Sequence, residues 1–158
     1  MPVWSPAGDR IALTTGIGDK WNLLVLGLDG QSAPDTVLSI KHPILNLSWS
    51  PDGTRFALQY LLEDNFEICV LKADGSGLVN VSDHPSFDAD PAWSPDGTEI
   101  VFVSNRDGDM DIYRMAAGGS SVTRLTANRG TDMEPAWSSD GKICFVSDRP
   151  AEQEATEP

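Results

Sequence analysis

Short apolar runs separated by polar turns extend along nearly the whole chain, and none has the spacing of an amphipathic helix. Residues 99–103 form an apolar, β-branched run, as expected for a strand that is buried on both faces. A polar loop and a glycine-rich turn separate this run from two further strand-like runs, at 111–115 and 122–126. Together with a short strand at 90–94, this stretch predicts a unit of four antiparallel strands.

The same pattern is present in the neighbouring stretches. The first unit has strand-like runs at 10–15, 21–28 and 36–40, the second at 54–61, 66–73 and 78–82, and the fourth at 134–138 and 142–147. No stretch has a convincing helical pattern. The sequence therefore predicts an all-β protein of fourteen strands, with three complete four-stranded units and half of a fourth.

A repeated phrase sets the length of the unit. Trp4, Trp49, Trp93 and Trp137 each precede a turn of Ser-Pro-Ala-Gly, Ser-Pro-Asp-Gly or Ser-Ser-Asp-Gly, at spacings of 45, 44 and 44 residues. A period of about 40–45 residues is typical of one four-stranded propeller blade. The predicted fold is a partial β-propeller of about three and a half antiparallel blades. We expect blades at about 1–43, 44–87 and 88–131, a half blade at 132–150 and a disordered acidic tail at 151–158.

The charge of the chain narrows the choice of partners. With 24 Asp and Glu against 11 Lys and Arg, the formal net charge is -13, which argues against nucleic acid as a partner. The charge favours metal cations or basic protein surfaces, although acidity can also serve only to keep an exposed β protein soluble. No apolar run approaches the ~18 residues of a membrane helix, and no signal peptide is recognisable. Cys69 and Cys144 are expected on blades two apart, both buried and not joined.

Catalytic motifs are lacking. The sequence has no Gly-x-Ser-x-Gly element, no phosphate-binding Gly-Lys-Ser/Thr motif and no zinc ligand cluster. Its two histidines, His42 and His84, precede prolines at equivalent places in successive units, which the repeat explains better than catalysis does. The acidic stretch at 107–111 lacks the Gly and Glu of a calcium loop, so we interpret it as a polar hairpin. The sequence predicts a protein that is not an enzyme.

Acidic residues recur five and three positions before two of the repeated tryptophans. They are Asp88, Asp90, Asp132 and Glu134. In a strand of period two, Asp88, Asp90 and Ala92 share one face, and the innermost strand of a blade lines the central channel. Two adjacent blades would then present paired carboxylates, which repel each other. A hard cation such as calcium, bound between them, would relieve this repulsion. The alternative is that these acids cap turns, pair with Arg106 or Arg149, or face a wet channel. No other cofactor is expected.

Several phrases of the repeat together resemble a known family. The segments at 91–97, 104–108, 111–113 and 124–126 resemble the WD-like propeller repeat of the TolB family, over essentially residues 1–150. Related repeats occur in the propellers of prolyl-oligopeptidase-type and tricorn-type peptidases. The resemblance implies a ring of six blades in TolB, and of seven or eight in the peptidases. It also implies a periplasmic or extracytoplasmic location.

Three functional hypotheses follow. The first is a non-enzymatic module that binds protein or peptide on its loop face. The second is the propeller segment of a prolyl-oligopeptidase-type serine peptidase whose catalytic domain lies elsewhere. The third is a propeller fragment that self-associates, because an incomplete ring exposes a blade face at each end and unpaired strand edges. In that case we expect a homodimer or higher oligomer joined through the terminal blades.

Overall fold

A computed structural model describes residues 2–30, 32–127 and 129–149, so the predicted acidic tail lies outside the described residues. It contains fourteen strands in four antiparallel sheets. Sheet 1 contains β1 (Val3–Trp4), β2 (Arg10–Ile17), β3 (Lys20–Gly27) and β4 (Asp35–Ile40). Sheet 2 contains β5 (Ile44–Trp49), β6 (Arg55–Leu62), β7 (Asn65–Lys72) and β8 (Val79–Asn80). Sheet 3 contains β9 (Asp88–Trp93), β10 (Glu99–Ser104), β11 (Asp111–Ala116) and β12 (Thr123–Arg124), and sheet 4 contains β13 (Asp132–Trp137) and β14 (Ile143–Ser147).

This architecture confirms the predicted fold class. Within each sheet, strands that follow one another in sequence are hydrogen-bonded neighbours, as in propeller blades. The sheets do not close into a ring. Among the described residues, no helix is long and apolar enough to cross a membrane.

The repeated turn is closed by a Ser-to-Asp hydrogen bond in sheets 2, 3 and 4, whereas in sheet 1, where Ala7 replaces that Asp, Ser5 bonds Asp9 instead. In sheet 2, Ser50 Oγ accepts a hydrogen bond of 2.9 Å from the Arg55 backbone N–H and donates one of 2.6 Å to Asp52. Gly53 has a φ of 73°, a left-handed conformation in which a side chain is strained. The hydrogen bond from Ser50, followed by those from Thr54, lowers the pKa of Asp52 to about 2. The carboxylate therefore remains charged and holds the turn closed.

Apolar side chains fill the space between consecutive sheets. One buried cluster joins sheets 1 and 2, a second joins sheets 2 and 3, and a third joins sheets 3 and 4. Trp49 and Trp93 are buried in the first two clusters. Trp4 is 61% exposed because it belongs to the first sheet, and Trp137 is only half-buried. The run from Ile100 to Val103 is fully buried, which confirms the prediction of a strand covered on both faces.

A β-bulge interrupts the inner strand of sheets 2, 3 and 4. In sheet 3 the pairing with β10 shifts between Ala89 and Ala92, and Asp90 has a φ of 52°. Glu134 has a φ of 53° at the same place in β13. Because the bulge adds a residue, the period-two alternation breaks there. The expectation that Asp88, Asp90 and Ala92 all share one face is therefore wrong, because Ala92 lies on the face of Ala89 and not on that of Asp88.

Sheet 4 has only two strands in the described part of the chain, so β14 has no outer neighbour there. Cys144, Phe145 and Val146 are exposed on it. The expectation of two buried cysteines is thus correct for Cys69 and wrong for Cys144. Burial, the main cause, raises the pKa of the Cys69 thiol to about 12.

Candidate functional site

The inner strands of all four sheets converge on one cavity of about 600 Å³, which we call the axial cavity. Each of β1, β5, β9 and β13 contributes to its wall. The lining residues are Val3, Asn46, Leu47, Asp90, Pro91, Met133, Glu134 and Pro135. The bulges direct this arrangement, because they place Asp90 and Glu134 at equivalent kinks in adjacent strands. The cavity is thus an apolar concavity with two carboxylates and one amide.

The polar groups of the axial cavity form a chain across two sheets. Asn46 donates a hydrogen bond of 3.0 Å to Gln59, a buried residue of β6, and a second hydrogen bond to Asp90 across the junction. Burial is the main cause that raises the pKa of Asp90, and the charge of Glu134 raises it further. Hydrogen bonds from the Glu134 backbone and from Asn46 lower this pKa but do not cancel the rise. Within the described residues no cation pairs with the Asp90 carboxylate, and Glu134 repels it.

Asp88 has a different environment. Its side chain is fully buried and accepts two hydrogen bonds of 3.1 Å from Nη2 of Arg106. Arg106 is itself fixed by a hydrogen bond of 2.9 Å to Ser104, and it packs over the rings of Phe102 and Tyr113. Asp88 is thus an internal counterion that ties the start of β9 to the loop after β10.

Asp132 repeats this arrangement in sheet 4. Arg149 Nη2 lies 3.1 Å from its Oδ1, and Arg149 is fixed by a hydrogen bond of 2.8 Å to Ser147. The pairing is looser than in sheet 3: from the residues that the structure describes, neither carboxylate oxygen of the buried Asp132 receives a hydrogen bond of good geometry. The arginine alternative weighed from the sequence describes both Asp88 and Asp132.

The four predicted site residues therefore separate into two pairs. Asp90 and Glu134 lie together in the axial cavity, whereas Asp88 and Asp132 pair with arginines outside its lining. Within the described ranges, no three His, Cys, Asp or Glu side chains lie close enough to hold a metal ion. Asn46 occupies the position of Asp90 and Glu134 in the second repeat, three residues before its tryptophan. The sequence places it at this position as a gap in the ring of charge, and the structure adds that its amide binds Asp90.

The polar hairpin between β10 and β11 is held by the chain itself. Asp107 accepts a hydrogen bond of 2.6 Å from the Tyr113 hydroxyl. Asp111 is buried and accepts hydrogen bonds from Arg124 and, at 3.0 Å, from Thr126. Burial, followed by the hydrogen bond to Asp107, raises the pKa of Tyr113. These acids are engaged in internal hydrogen bonds, in agreement with the interpretation of the stretch as a hairpin.

The fold and the cavity define the class of the molecule: an open array of propeller blades whose inner strands line an acidic cavity. The PD40 model, described as the TolB beta propeller domain, matches residues 1–155. The chain therefore belongs to this family. No match was found among curated proteins.

Solved structures agree with this assignment. The chain is similar to TolB from Acinetobacter baumannii (27% identity, TM-score 0.84), covering 96% of this chain and 38% of that one. It is also similar to a protein assigned as TolB from Agrobacterium tumefaciens (30% identity, TM-score 0.82), covering 91% of this chain and 52% of that one. A puromycin-hydrolyzing peptidase from Mycobacterium tuberculosis shares the fold at 16% identity, with a TM-score of 0.69, over 85% of this chain and 23% of the peptidase. The chain spans 38% and 52% of the two TolB chains.

Proposed function

We propose that this chain is a non-enzymatic binding module that takes up a basic segment of a protein or peptide in the axial cavity. The observation that carries the proposal is the pair of Asp90 and Glu134 at equivalent bulges of adjacent inner strands, with no cation among the lining residues that the structure describes.

The electrostatics of the cavity favour a cationic ligand. The pKa of Asp90 is raised first by burial and then by Glu134, so an incoming positive charge gains attraction to both carboxylates and relieves their repulsion. The net charge of -13 steers basic partners toward the molecule from a distance.

The shape of the cavity suits an extended chain segment. Its volume of about 600 Å³ lies within the usual range of ligand sites. Apolar side chains from three sheets, Val3, Leu47 and Met133, surround the carboxylates. A peptide with an apolar residue beside a lysine or arginine fits this combination of walls and charge.

Selection from a random peptide library tests the proposal. Peptides displayed on phage are selected on the wild-type chain, with counter-selection on the double variant D90N/E134Q. We expect basic peptides whose affinity falls at least about ten-fold in the double variant and weakens with salt. The matched control is D19N/D109N, which removes two exposed charges outside the cavity lining. Equal weakening by the control, or a selection without enrichment, would contradict the proposal.

The peptidase alternative draws support only from a shared fold, since the peptidase is 16% identical. Under this alternative the chain is the accessory propeller of a serine hydrolase, and the nucleophile lies in another domain. A downstream Gly-x-Ser-x-Gly sequence in the same open reading frame would favour it. A frame without such a sequence favours the binding module.

We further propose that the chain self-associates through its terminal sheets. Trp4 and Ile17 of sheet 1 are 61% and 65% exposed, and Val146 on β14 is 58% exposed. Apolar surface beside an open strand edge favours association. Light scattering is expected to give at least the mass of a dimer, and the double variant W4S/V146K is expected to give a monomer. A wild-type monomer at high micromolar concentration would contradict this proposal.

Calcium is the second ligand that we propose for the axial cavity. Of the four acids expected from the sequence, Asp90 and Glu134 are the two that can reach a cation there, because Asp88 and Asp132 are paired with arginines. Carboxylates that face each other without a cation favour a hard ion with oxygen ligands.

A further inference from the structure

The first two junctions between sheets share an arginine that lies over a tryptophan. Arg10 lies 5.5 Å from the ring centroid of Trp49, and Arg55 lies 4.5 Å from that of Trp93. Each arginine is the first residue of the second strand of its sheet, and each tryptophan belongs to the inner strand of the next sheet. The repeat thus builds a cation–π contact into each of these junctions.

The third junction departs from this pattern. The first residue of β10 is Glu99, in the position of Arg10 and Arg55. Among the described residues, no arginine or lysine lies over the ring of Trp137. Trp137 is half-buried, and its Nε1 donates a hydrogen bond of 3.2 Å to the Ala92 carbonyl, which fixes the ring.

A pocket of about 320 Å³ lies at this junction. Its lining includes Ser94, Asp96, Glu99, Arg114, Trp137 and Gly141. At the previous junction, Arg55 donates a hydrogen bond of 3.3 Å to the Gly97 carbonyl. Gly141 is the counterpart of Gly97 in the repeated turn. At the place where the chain elsewhere inserts an arginine from the preceding sheet, the pocket therefore combines an aromatic ring, a turn glycine and two carboxylates, with Arg114 at its wall.

The carboxylates are charged and accessible. Hydrogen bonds from Ser94 and then from Thr98 lower the pKa of Asp96 to about 2. Glu99 pairs with Arg114 at 3.4 Å, but both side chains are more than a third exposed. Ion pairs with this exposure are weak, so Arg114 does not block the entry of another cation.

We propose that this pocket binds an arginine side chain of a partner protein or peptide, stacked on Trp137 and paired with Glu99. A guanidinium suits the site better than an ammonium, because its plane stacks on an aromatic ring while its N–H groups remain free to donate. The site lies outside the axial cavity, and the proposal does not depend on the function proposed for that cavity.

The repeat supplies matched variants for the test. The position of Arg114 in β11 is held by Val25 in β3 and by Val70 in β7, opposite Ala12 and Ala57. The double variant E99R/R114V therefore places at the third junction the same residue types that Arg55 and Val70 provide at the second. We expect its own arginine to fill the pocket, and the thermal midpoint to rise. The single variant R114V leaves Glu99 free for a ligand.

Fluorine NMR of the chain labelled with 5-fluorotryptophan gives a direct readout, with the signal assigned by Trp137→Phe. N-acetyl-arginine amide is expected to shift the Trp137 signal with a Kd on the order of millimolar, and about five-fold tighter in R114V. The uncharged N-acetyl-citrulline amide is expected to give no shift, and N-acetyl-lysine amide a weaker one. D90N/E134Q is expected to bind like the wild type, which separates this site from the axial cavity.

Three results would overturn the proposal. The first is binding to E99R/R114V as tight as to the wild type. The second is an equal response to arginine and citrulline. The third is binding that appears only in R114V, because this would assign the pocket to Arg114 itself.

Discussion

Arg106 donates two hydrogen bonds of 3.1 Å from its Nη2 to the carboxylate of Asp88, which is fully buried at the start of β9. Arg106→Gln leaves this buried charge without a counterion. We expect the free energy of unfolding to fall by about 3–5 kcal/mol, the usual cost of removing one member of a buried pair. Urea unfolding followed by tryptophan fluorescence measures this loss.

The controls distinguish the charge from the packing of the arginine. The double variant D88N/R106Q removes both charges and is expected to recover part of the loss. Arg149→Gln is expected to cost less than Arg106→Gln, because Arg149 is 26% exposed and belongs to the two-stranded sheet. An Arg106→Gln variant as stable as the wild type would contradict the role given to this pair.

The repeated tryptophans are expected to differ in their contribution to stability according to their burial. Trp93→Ala and Trp49→Ala each empty a buried position between two sheets and are expected to cost about 3–5 kcal/mol. Trp137→Ala is expected to cost less, and Trp4→Ala least. Thermal unfolding of the four variants gives the order. Equal midpoints for Trp93→Ala and Trp4→Ala would contradict the assigned packing.

Asp90 is expected to oppose folding at neutral pH. Burial and then Glu134 raise its pKa in the folded state above the usual value of 3.8. The protonated form therefore stabilises the fold, fully below pH 3.8, and this contribution is lost as the pH rises through the raised folded value. Asp90→Asn removes the charge but keeps a side-chain oxygen that can accept the hydrogen bond from Asn46.

This variant is expected to be more stable than the wild type at pH 7, by a margin that shrinks as the pH falls toward 3.8. Urea unfolding at a series of pH values measures the margin. A difference independent of pH would assign the effect to the backbone conformation of residue 90 rather than to its charge.

Calcium is expected to raise the thermal midpoint of the wild-type chain through Asp90 and Glu134. Titration calorimetry on metal-free protein measures the binding, and D90N/E134Q is expected to lose it. Asp132→Asn is the control variant. Because the Asp132 side chain is paired with Arg149 and does not line the axial cavity, calcium binding is expected to remain in this variant. Binding that is absent in millimolar calcium, or that survives in D90N/E134Q, would remove the proposed site.

Much of the fold could be predicted from the sequence, because turn chemistry and strand periodicity are local. The tryptophan spacing and the Ser-Pro-Asp-Gly turns indicate the sheets, and predicted runs such as 10–15 and 111–115 lie within β2 and β11. The faces of the inner strands could not be predicted in this way. A bulge at Asp90 changes which side chains lie together, and its position depends on the pairing with β10 rather than on alternation along β9.

The candidate site shows the same division. The sequence indicated one group of four acids, which are Asp88, Asp90, Asp132 and Glu134. In the structure, ion pairs with arginines separate Asp88 and Asp132 from the other two. Arg106 lies 18 residues from Asp88 in the chain, so the contact depends on how the hairpin places the loop after β10. The substitution of Glu99 for arginine at the third junction is visible in the repeat, but its meaning requires the contacts of Arg10 and Arg55.

The location of the binding surface is the central claim, and hydrogen–deuterium exchange tests it most directly. A peptide selected on the wild-type chain is added at saturating concentration, and amide exchange is followed by mass spectrometry. We expect added protection in β5, β9 and β13, where Asn46, Asp90 and Glu134 lie, and none in D90N/E134Q under the same conditions. Protection confined to the outer strands β4, β8 and β12 or to the hairpin loops, with the inner strands unchanged, would contradict the account.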